Sequence, residues 1–180
     1  AQKLQQSFKN VFLNEHGYLL DYVDGQMQDW SVRPNQIFAI ALDFSPLDIK
    51  ERKRVLDICT RELVTPKGVR SLSPKSGGYN PLYVGQQTQR DFAYHNGTAW
   101  PWLTGFYLEA YLRIYKMSGV NFIERQLIGF EEELFYHCVG TIPELFDGNP
   151  RFSGRGAISF AMNVSGLLRA INILDKYTRE

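Results

Sequence analysis

The pattern of apolar and polar positions along the chain predicts six helices. The predicted helices span residues 2–13, about 34–43, 46–63, about 99–116, 121–138 and 157–177. The first, third and fifth carry a single apolar stripe, whereas the second, fourth and sixth are apolar on most sides. A helix that is apolar all round is buried on several sides, and a helix with one stripe lies at the surface. The pattern therefore predicts that outer and inner helices alternate along the chain.

This alternation predicts an all-α fold class, namely an α/α toroid with two concentric rings of helices. An irregular helical bundle is the alternative that the pattern leaves open. Strand signals are almost absent, and the length of 180 residues is typical of one domain with a sizeable core. Ser45 and Asp48 form a capping-box-like start for the third helix, with Pro46 at its first position.

Long connections lead from each predicted outer helix to the next inner helix, over about residues 14–33, 64–98 and 139–156. In a toroid these connections emerge on one face, at the N-termini of the inner helices, where free N–H groups and partial positive charge accumulate. They are rich in aromatic residues and glycine, unlike disordered segments. We therefore expect them to converge and to form one aromatic-lined pocket.

The three connections contain side chains that suit sugar binding, because an indole covers the apolar face of a pyranose while polar side chains satisfy its hydroxyls. The candidates are Trp30 and Arg33 in the first connection, Arg90, Asp91, Tyr94, His95, Asn96, Trp100 and Trp102 in and after the second, and Glu144 and Asp147 in the third. Other interpretations stay open: solvated loop carboxylates, a local Arg90–Asp91 ion pair, and a capped aromatic helix start.

Composition excludes some classes of partner. The net charge of +1 gives no indication of nucleic-acid or membrane binding, and no apolar run reaches the roughly 18 residues of a membrane span. Cys59 and Cys138 lie in predicted helices, so we expect buried free thiols, a reducing compartment and a cytoplasmic location. The three histidines lack metal-ligand spacing, and we expect no cofactor. The chain does not begin with Met, which suggests a processed or truncated piece.

Four stretches resemble, in this order, the C-terminal amylo-α-1,6-glucosidase domain of bacterial-type glycogen debranching enzymes. They are RPNQIFAIAL, LVTPKGVRSLSP, YHNGTAWPW and GTIPELFDGNPRFSGRGAISFAMNVSGLLRAI, and the resemblance covers nearly the whole chain from about Tyr18 onward. It implies an (α/α)6 barrel that hydrolyses α-1,6-linked branch points with inversion. It also implies an α-glucan as the partner: glycogen, limit dextrin or a malto-oligosaccharide.

Inverting hydrolysis requires a general acid and a general base, with their carboxyl groups about 6.5–9.5 Å apart. The resemblance implies that Glu144, in IPELFDG, is the base. The family's acid lies in a motif resembling WGRD, which this chain lacks, and the role is not transferred to Asp91. A complete barrel has twelve helices. We therefore expect residues 1–180 to be the C-terminal half of the catalytic barrel, inactive alone, with exposed apolar edges and a tendency to self-associate.

Two other classes of function stay open. One is a non-catalytic glucan-binding helical domain that uses Trp30, Tyr94, Trp100 and Trp102. The other is a purely structural interaction domain. Within the enzyme class, another toroidal glucosidase of the trehalase type is the alternative.

Overall fold

The computed structural model describes residues 1–179 and contains eight α-helices within them. In chain order they are α1 (Gln2–Phe12), α2 (Gln36–Ala41), α3 (Ile49–Glu62), α4 (Gln87–Tyr94), α5 (Trp102–Tyr115), α6 (Val120–Ile128), α7 (Glu133–Tyr136) and α8 (Ala161–Arg179). A short 3₁₀-helix, Lys116–Gly119, joins α5 to α6. No helix in this part of the chain is both long enough and apolar enough to cross a membrane.

The three helices that the sequence predicted as inner, α2, α5 and α8, pack side by side with α5 in the middle. Helix α5 packs between α2 and α8, while α3 covers α2 and α5, and α6 packs on α8. Gly105 of α5 faces the backbone of Gly166 in α8, and a Cβ on Gly166 would lie 2.5 Å from the Trp102 Cα. The two helices can approach this closely because neither glycine carries a side chain.

Helix α8 is buried on one side only among the described residues. Its buried residues are Asn163, Gly166 and Ala170, whereas Leu168 and Ile171 are about half exposed. A helix that the sequence predicted to be surrounded by apolar neighbours therefore presents part of its apolar surface to solvent.

A five-stranded antiparallel sheet was not predicted, since strand signals are almost absent from the sequence. Its strands pair in chain order and are β3 (Val64–Thr65), β4 (Gly68–Arg70), β5 (Ala99–Trp100), β6 (Leu145–Phe146) and β7 (Gly154–Arg155). A separate hairpin is formed by β1 (Val23–Asp24) and β2 (Met27–Gln28). Strands of two or three residues are too short to produce a readable alternation of apolar and polar positions. The sheet joins the second long connection to the third.

Several predicted helix boundaries were wrong. The predicted helix 99–116 begins only at Trp102, because Ala99 and Trp100 pair with neighbouring strands. The predicted helix 121–138 is interrupted after α6, where the chain turns and buries Phe130. The predicted helix 157–177 begins at Ala161. Helix α4 lies inside a segment that the sequence predicted to be an irregular loop.

The N-cap of α3 is Asp48, so the predicted capping by Ser45 was misplaced. The Asp48 side chain accepts hydrogen bonds from the backbone N–H groups of Lys50 and Glu51, and the Glu51 carboxylate accepts one from Asp48 N in return. The Ser45 Oγ instead accepts a hydrogen bond from the Leu47 N–H at 3.1 Å. The helix thus starts later than the proline suggested.

The two cysteines are free but differ in burial. Cys59 is fully buried in α3, and burial raises the pKa of its thiol. Cys138 is exposed just after α7, so the prediction that both thiols are buried was wrong for this residue. The short helix α7 ends at Tyr136, and the residues around Cys138 do not pack into the core.

Candidate active site

A cleft of about 500 Å³ opens where the three inner helices begin. It is lined by Asp21, Arg33, Pro34, Asn35, Ser71, Tyr94, His95, Trp100, Trp102, Leu103, Phe160 and Met162. These residues include the starts of α2, α5 and α8 and parts of the first two long connections. The first and second long connections thus meet at the N-termini of the inner helices, as predicted, whereas no residue of the third connection, 139–156, lines this cleft.

Arg33 connects the first long connection to the second. Its Nη1 donates hydrogen bonds to the carbonyl oxygens of His95 at 2.7 Å and Ser71 at 3.2 Å, and its Nη2 donates to Asn96 Oδ1 at 3.1 Å. Its Nε lies 3.8 Å from Asp21 Oδ2. Arg33 therefore forms part of the wall of the cleft. Its hydrogen bonds hold the first and the second long connections together.

Three aromatic rings form one corner of the cleft. The rings of His95 and Trp100 are stacked with centroids 5.5 Å apart, and the ring of Tyr94 meets Trp100 edge-on at 4.8 Å. The Trp100 Nε1 donates to Thr98 Oγ1 at 3.0 Å, which fixes the orientation of the indole. Partial burial and the Arg33 guanidinium lower the pKa of His95, which favours a neutral imidazole near neutral pH.

Glu144 is partly buried beside this corner, and both of its carboxylate oxygens are held. Its Oε2 accepts a hydrogen bond from the Ala157 N–H at 2.9 Å, and its Oε1 accepts one from the Tyr94 hydroxyl. The Glu144 backbone N–H donates to the Ala157 carbonyl at 2.8 Å. Burial raises the pKa of Tyr94, and its hydrogen bond to Glu144 adds to this effect, so the phenol remains a donor at neutral pH.

Asn163, which the sequence did not single out, connects Glu144 to the helices beneath it. Its Nδ2 donates to the carbonyl oxygens of Pro143 and Glu144, each at 2.6 Å, and its Oδ1 accepts from the Trp102 N–H at 3.1 Å. The side chain is fully buried. Asn163 therefore sets the position of the Glu144 backbone relative to the start of α5.

Among the described residues Glu144 makes no ion pair. The nearby Arg155 is engaged by Asp147, whose Oδ2 accepts its Nε at 3.0 Å and its Nη2 at 2.8 Å. The Asp147 Oδ1 accepts from the Tyr83 N–H at 2.9 Å. Asp147 is 3% exposed and does not line the cleft, so its observed contacts tie loops together.

The structure brings some predicted site residues to the cleft and leaves others outside it. Tyr94, His95, Trp100, Trp102 and Arg33 line it. The Asn96 side chain contacts Arg33 and the Phe92 carbonyl instead.

The other predicted residues, including Glu144 and Asp147, are not among those that line the cleft. Trp30 lies on a different cavity, and Arg90 and Asp91 are exposed on α4. Within residues 1–179 the suggested Arg90–Asp91 ion pair does not form. The expectation that all of these side chains share one concavity was therefore wrong, because Arg90 and Asp91 lie on the exposed side of α4 and Trp30 lines another cavity.

Asp21, Phe160 and Met162 also line the cleft, although the sequence did not single them out. Asp21 Oδ1 accepts a hydrogen bond from Asn35 Nδ2 at 2.7 Å. No local motif marks these residues: Asp21 precedes a hairpin of two-residue strands, and the start of α8 was predicted four residues too early. The described residues contain no group of three or more His, Cys, Asp or Glu side chains arranged to hold a metal ion.

Comparisons with known proteins identify the family and the fold of the chain. The family model described as amylo-alpha-1,6-glucosidase matches residues 1–169. A glycogen debranching enzyme from Saccharomyces cerevisiae is 35% identical over 109 residues, which are 55% of this chain and 7% of that protein. The chain thus spans a small part of this curated relative.

A solved structure of neutral trehalase from Saccharomyces cerevisiae superimposes with a TM-score of 0.61 at 16% identity, covering 96% of this chain and 31% of that one. Neutral trehalase is an (α/α)6 barrel, so this likeness confirms the predicted α/α toroid architecture. At 16% identity this likeness supports the fold alone. The match of the family model to nearly the whole chain carries the assignment: the chain belongs to the amylo-alpha-1,6-glucosidase family.

Proposed function

We propose that this chain provides the general base and part of the sugar-binding site of an inverting glucosidase that acts on α-1,6 branch points of glycogen or limit dextrin. The observation that supports it most is Glu144, a partly buried carboxylate with no cation paired to it among the described residues, beside an aromatic cleft at the starts of three inner helices. Membership of the amylo-alpha-1,6-glucosidase family supports a glycosidase.

Each group has one role in the proposed hydrolysis. A water molecule held by Glu144 gives a proton to the carboxylate while its oxygen forms a bond to the anomeric carbon on the face opposite the leaving group. The glycosidic C–O bond breaks, and a general acid protonates the leaving oxygen. Tyr94 and the Ala157 N–H keep the Glu144 carboxylate in one orientation, so that a free lone pair can be aimed at the water.

The cleft has the groups that a glucose unit requires. His95, Trp100 and Trp102 offer aromatic surface to the apolar faces of the ring, and Asp21 and Asn35 offer polar atoms to its hydroxyls. We assign the general acid to a segment outside residues 1–180 and residues 1–180 to one half of an (α/α)6 barrel. The isolated chain is accordingly expected to be inactive. A cytoplasmic location is part of the same proposal.

The test is Glu144→Gln in the full-length protein, because glutamine keeps the shape and removes the basicity. Release of glucose from a branched limit dextrin should fall about 10²- to 10⁴-fold. Glu132→Gln, at an exposed glutamate of the turn before α7, is the matched control and should leave the rate unchanged. Near-normal hydrolysis by the Glu144 variant would overturn the assignment of the base.

Two further measurements test the rest of the proposal. Trehalose as a second substrate separates a debranching activity from a trehalase-type activity, since only the proposed function requires a preference for the branched dextrin. Glucose release by the purified 180-residue chain would contradict the assignment of the acid to another segment.

A further inference from the structure

A second cavity of about 450 Å³ lies behind the wall of the first cleft. The wall consists of the segments 30–33 and 71–73, which are joined by a hydrogen bond from the Ser73 N–H to the Val32 carbonyl at 3.0 Å. Arg33 and Ser71 line the first cleft, whereas Val32 and Ser73 line the second cavity. The two cavities therefore share a wall that is one layer of backbone thick.

Trp30 presents an indole to this second cavity. Its side chain lies on a loop and is 42% exposed, so packing in the core does not account for it. The Tyr18 hydroxyl donates to the Trp30 carbonyl at 3.0 Å, and the ring of His16 meets the indole edge-on at 6.0 Å. The loop thus holds a large aromatic surface at the edge of a concave site.

Polar groups surround this aromatic surface. The Glu62 side chain is 7% exposed, and its carboxylate accepts hydrogen bonds from Ser73 Oγ at 2.6 Å and from Lys75 Nζ at 3.0 Å. The side chains of Lys75 and Arg61 are 72% and 64% exposed, so both keep donors that point to solvent. A buried carboxylate thus orients donors around the rim of the cavity.

We propose that this cavity is a second binding site for α-glucan, in which a glucose unit packs on Trp30 and its hydroxyls meet Lys75, Arg61 and Ser76. An indole beside outward-directed donors matches a pyranose, which has apolar faces and a polar rim. The identity of the ligand rests on the proposed function. The site itself is separate from the cleft beside Glu144 and takes no part in the chemistry.

The position of the site sets its role. A branched polymer that occupies the cleft has further glucose units nearby, and binding of a second segment becomes intramolecular. The two sites together should therefore hold glycogen more tightly than a short oligosaccharide, which reaches only one of them. This prediction concerns affinity and leaves the rate of the bound substrate unchanged.

The chain contains three tryptophans, one on the second cavity and two on the cleft, so their indole N–H resonances report the two sites separately. We would assign the three signals in ¹⁵N-labelled protein with Trp30→Phe, Trp100→Phe and Trp102→Phe, and titrate with maltoheptaose. The Trp30 signal should shift and saturate. Cellohexaose, which has β-linkages and an extended shape, should have little effect on it.

The two proposals fail in different ways in this titration. A Trp30 signal that stays fixed while those of Trp100 and Trp102 move would overturn the second site and leave the proposed function intact. Movement of the Trp30 signal alone would support the second site and count against sugar binding in the cleft. Equal responses to both oligosaccharides would overturn the preference for α-glucan.

Substitutions of Trp30 then measure the contribution of its side chain to the affinity for glycogen. Trp30→Ala should weaken the binding of glycogen about tenfold or more, the usual effect of truncating a central tryptophan. Trp30→Phe should retain most of the affinity because it keeps an aromatic face. Phe135→Ala, at an exposed aromatic residue that lines neither cavity, is the matched control. An affinity of Trp30→Ala equal to that of this control would overturn the proposal.

Discussion

The hydroxyl of Tyr94 donates a hydrogen bond to Oε1 of Glu144, two residues that are 50 positions apart in the chain. Tyr94 is the last residue of α4, and Glu144 directly precedes β6. The ring of Tyr94 also packs edge-on against Trp100 in the cleft. This one side chain therefore couples the orientation of the proposed base to the aromatic surface that would hold the sugar.

Removal of this hydrogen bond should lower the rate more than the affinity. A hydrogen bond to a charged group contributes about 1.5–3 kcal/mol, so Tyr94→Phe in the full-length protein should lower kcat about 10- to 100-fold. KM should change little, because the phenyl ring still lines the cleft. Steady-state hydrolysis of limit dextrin checks both constants.

Tyr83→Phe is the matched control for the hydroxyl. The ring of Tyr83 packs next to Tyr94 at 5.8 Å, but its hydroxyl makes no side-chain hydrogen bond among the described residues. The control should keep kcat near the wild-type value. If both variants lose the same activity, the bond to Glu144 is not the cause.

Asp147 was predicted from the sequence to bind substrate, whereas its contacts in the structure are those of a loop clamp. Asp147→Ala removes the partner of Arg155 and of the Tyr83 N–H, and should lower the free energy of unfolding by about 2–3 kcal/mol. Urea denaturation of the isolated chain measures this difference.

The control for Asp147 is Asp175→Ala, which breaks an ion pair with Arg179 whose side chains are 54% and 78% exposed. Such a pair should contribute less than about 0.5 kcal/mol. Equal stability losses for the two variants would contradict a clamp role. A folded Asp147 variant that binds maltoheptaose normally would exclude the role in sugar binding.

Glu62 should make stability depend on pH. Burial acts to raise the pKa of Glu62, but hydrogen bonds from Ser73 and Lys75 outweigh burial and leave this pKa below its usual value. Since the folded state holds the proton less tightly than the unfolded state, this stabilisation is present above the unfolded pKa of about 4.5. It is lost as the pH falls through the folded pKa.

We therefore expect Glu62→Gln to be less stable than the wild type at pH 7, with a difference that shrinks below about pH 4.5. Urea denaturation at a series of pH values checks this, with Glu132→Gln as the exposed control. A difference that stays constant from pH 7 to pH 3 would show that packing, and not the charge of Glu62, is responsible.

The exposed side of α8 should make the isolated chain self-associate. An apolar groove of about 580 Å³ lies between α6 and α8, with Ile128, Leu168 and Ile171 about half exposed. Exposed apolar patches beyond a few hundred Å² tend to become buried by association. Light scattering over a range of protein concentrations should show an average mass that rises above 20.8 kDa.

Charged substitutions locate the surface that associates. Leu168→Glu together with Ile171→Glu should restore a monomer. Phe44→Glu, at a residue that is 99% exposed and outside the groove, should not change the association. A strict monomer of the unmodified chain at high concentration would contradict this prediction.

Much of the architecture could be predicted from the sequence, because it depends on where each helix buries its apolar side chains. One-striped helices and all-apolar helices alternate along the chain, and α2 and α5 are largely buried as this alternation predicts, whereas α8 is buried on one side only among the described residues. The connections to those helices then had to emerge together, so a cleft at the starts of the inner helices was predictable as well. The resemblance carried by IPELFDG singled out Glu144 as the base, a role that stays a prediction.

Only the tertiary structure decided which loop side chains face one another. The partners of Glu144 are Tyr94, Ala157 and Asn163, at separations of 50, 13 and 19 residues, and no local pattern encodes such pairings. Short strands align these segments through backbone hydrogen bonds, which depend little on side-chain type. Strands of two residues therefore leave almost no recognisable pattern in the sequence. The sequence likewise placed Trp30 and Arg33 in one pocket, whereas in the structure Arg33 lines the cleft and Trp30 lines the second cavity.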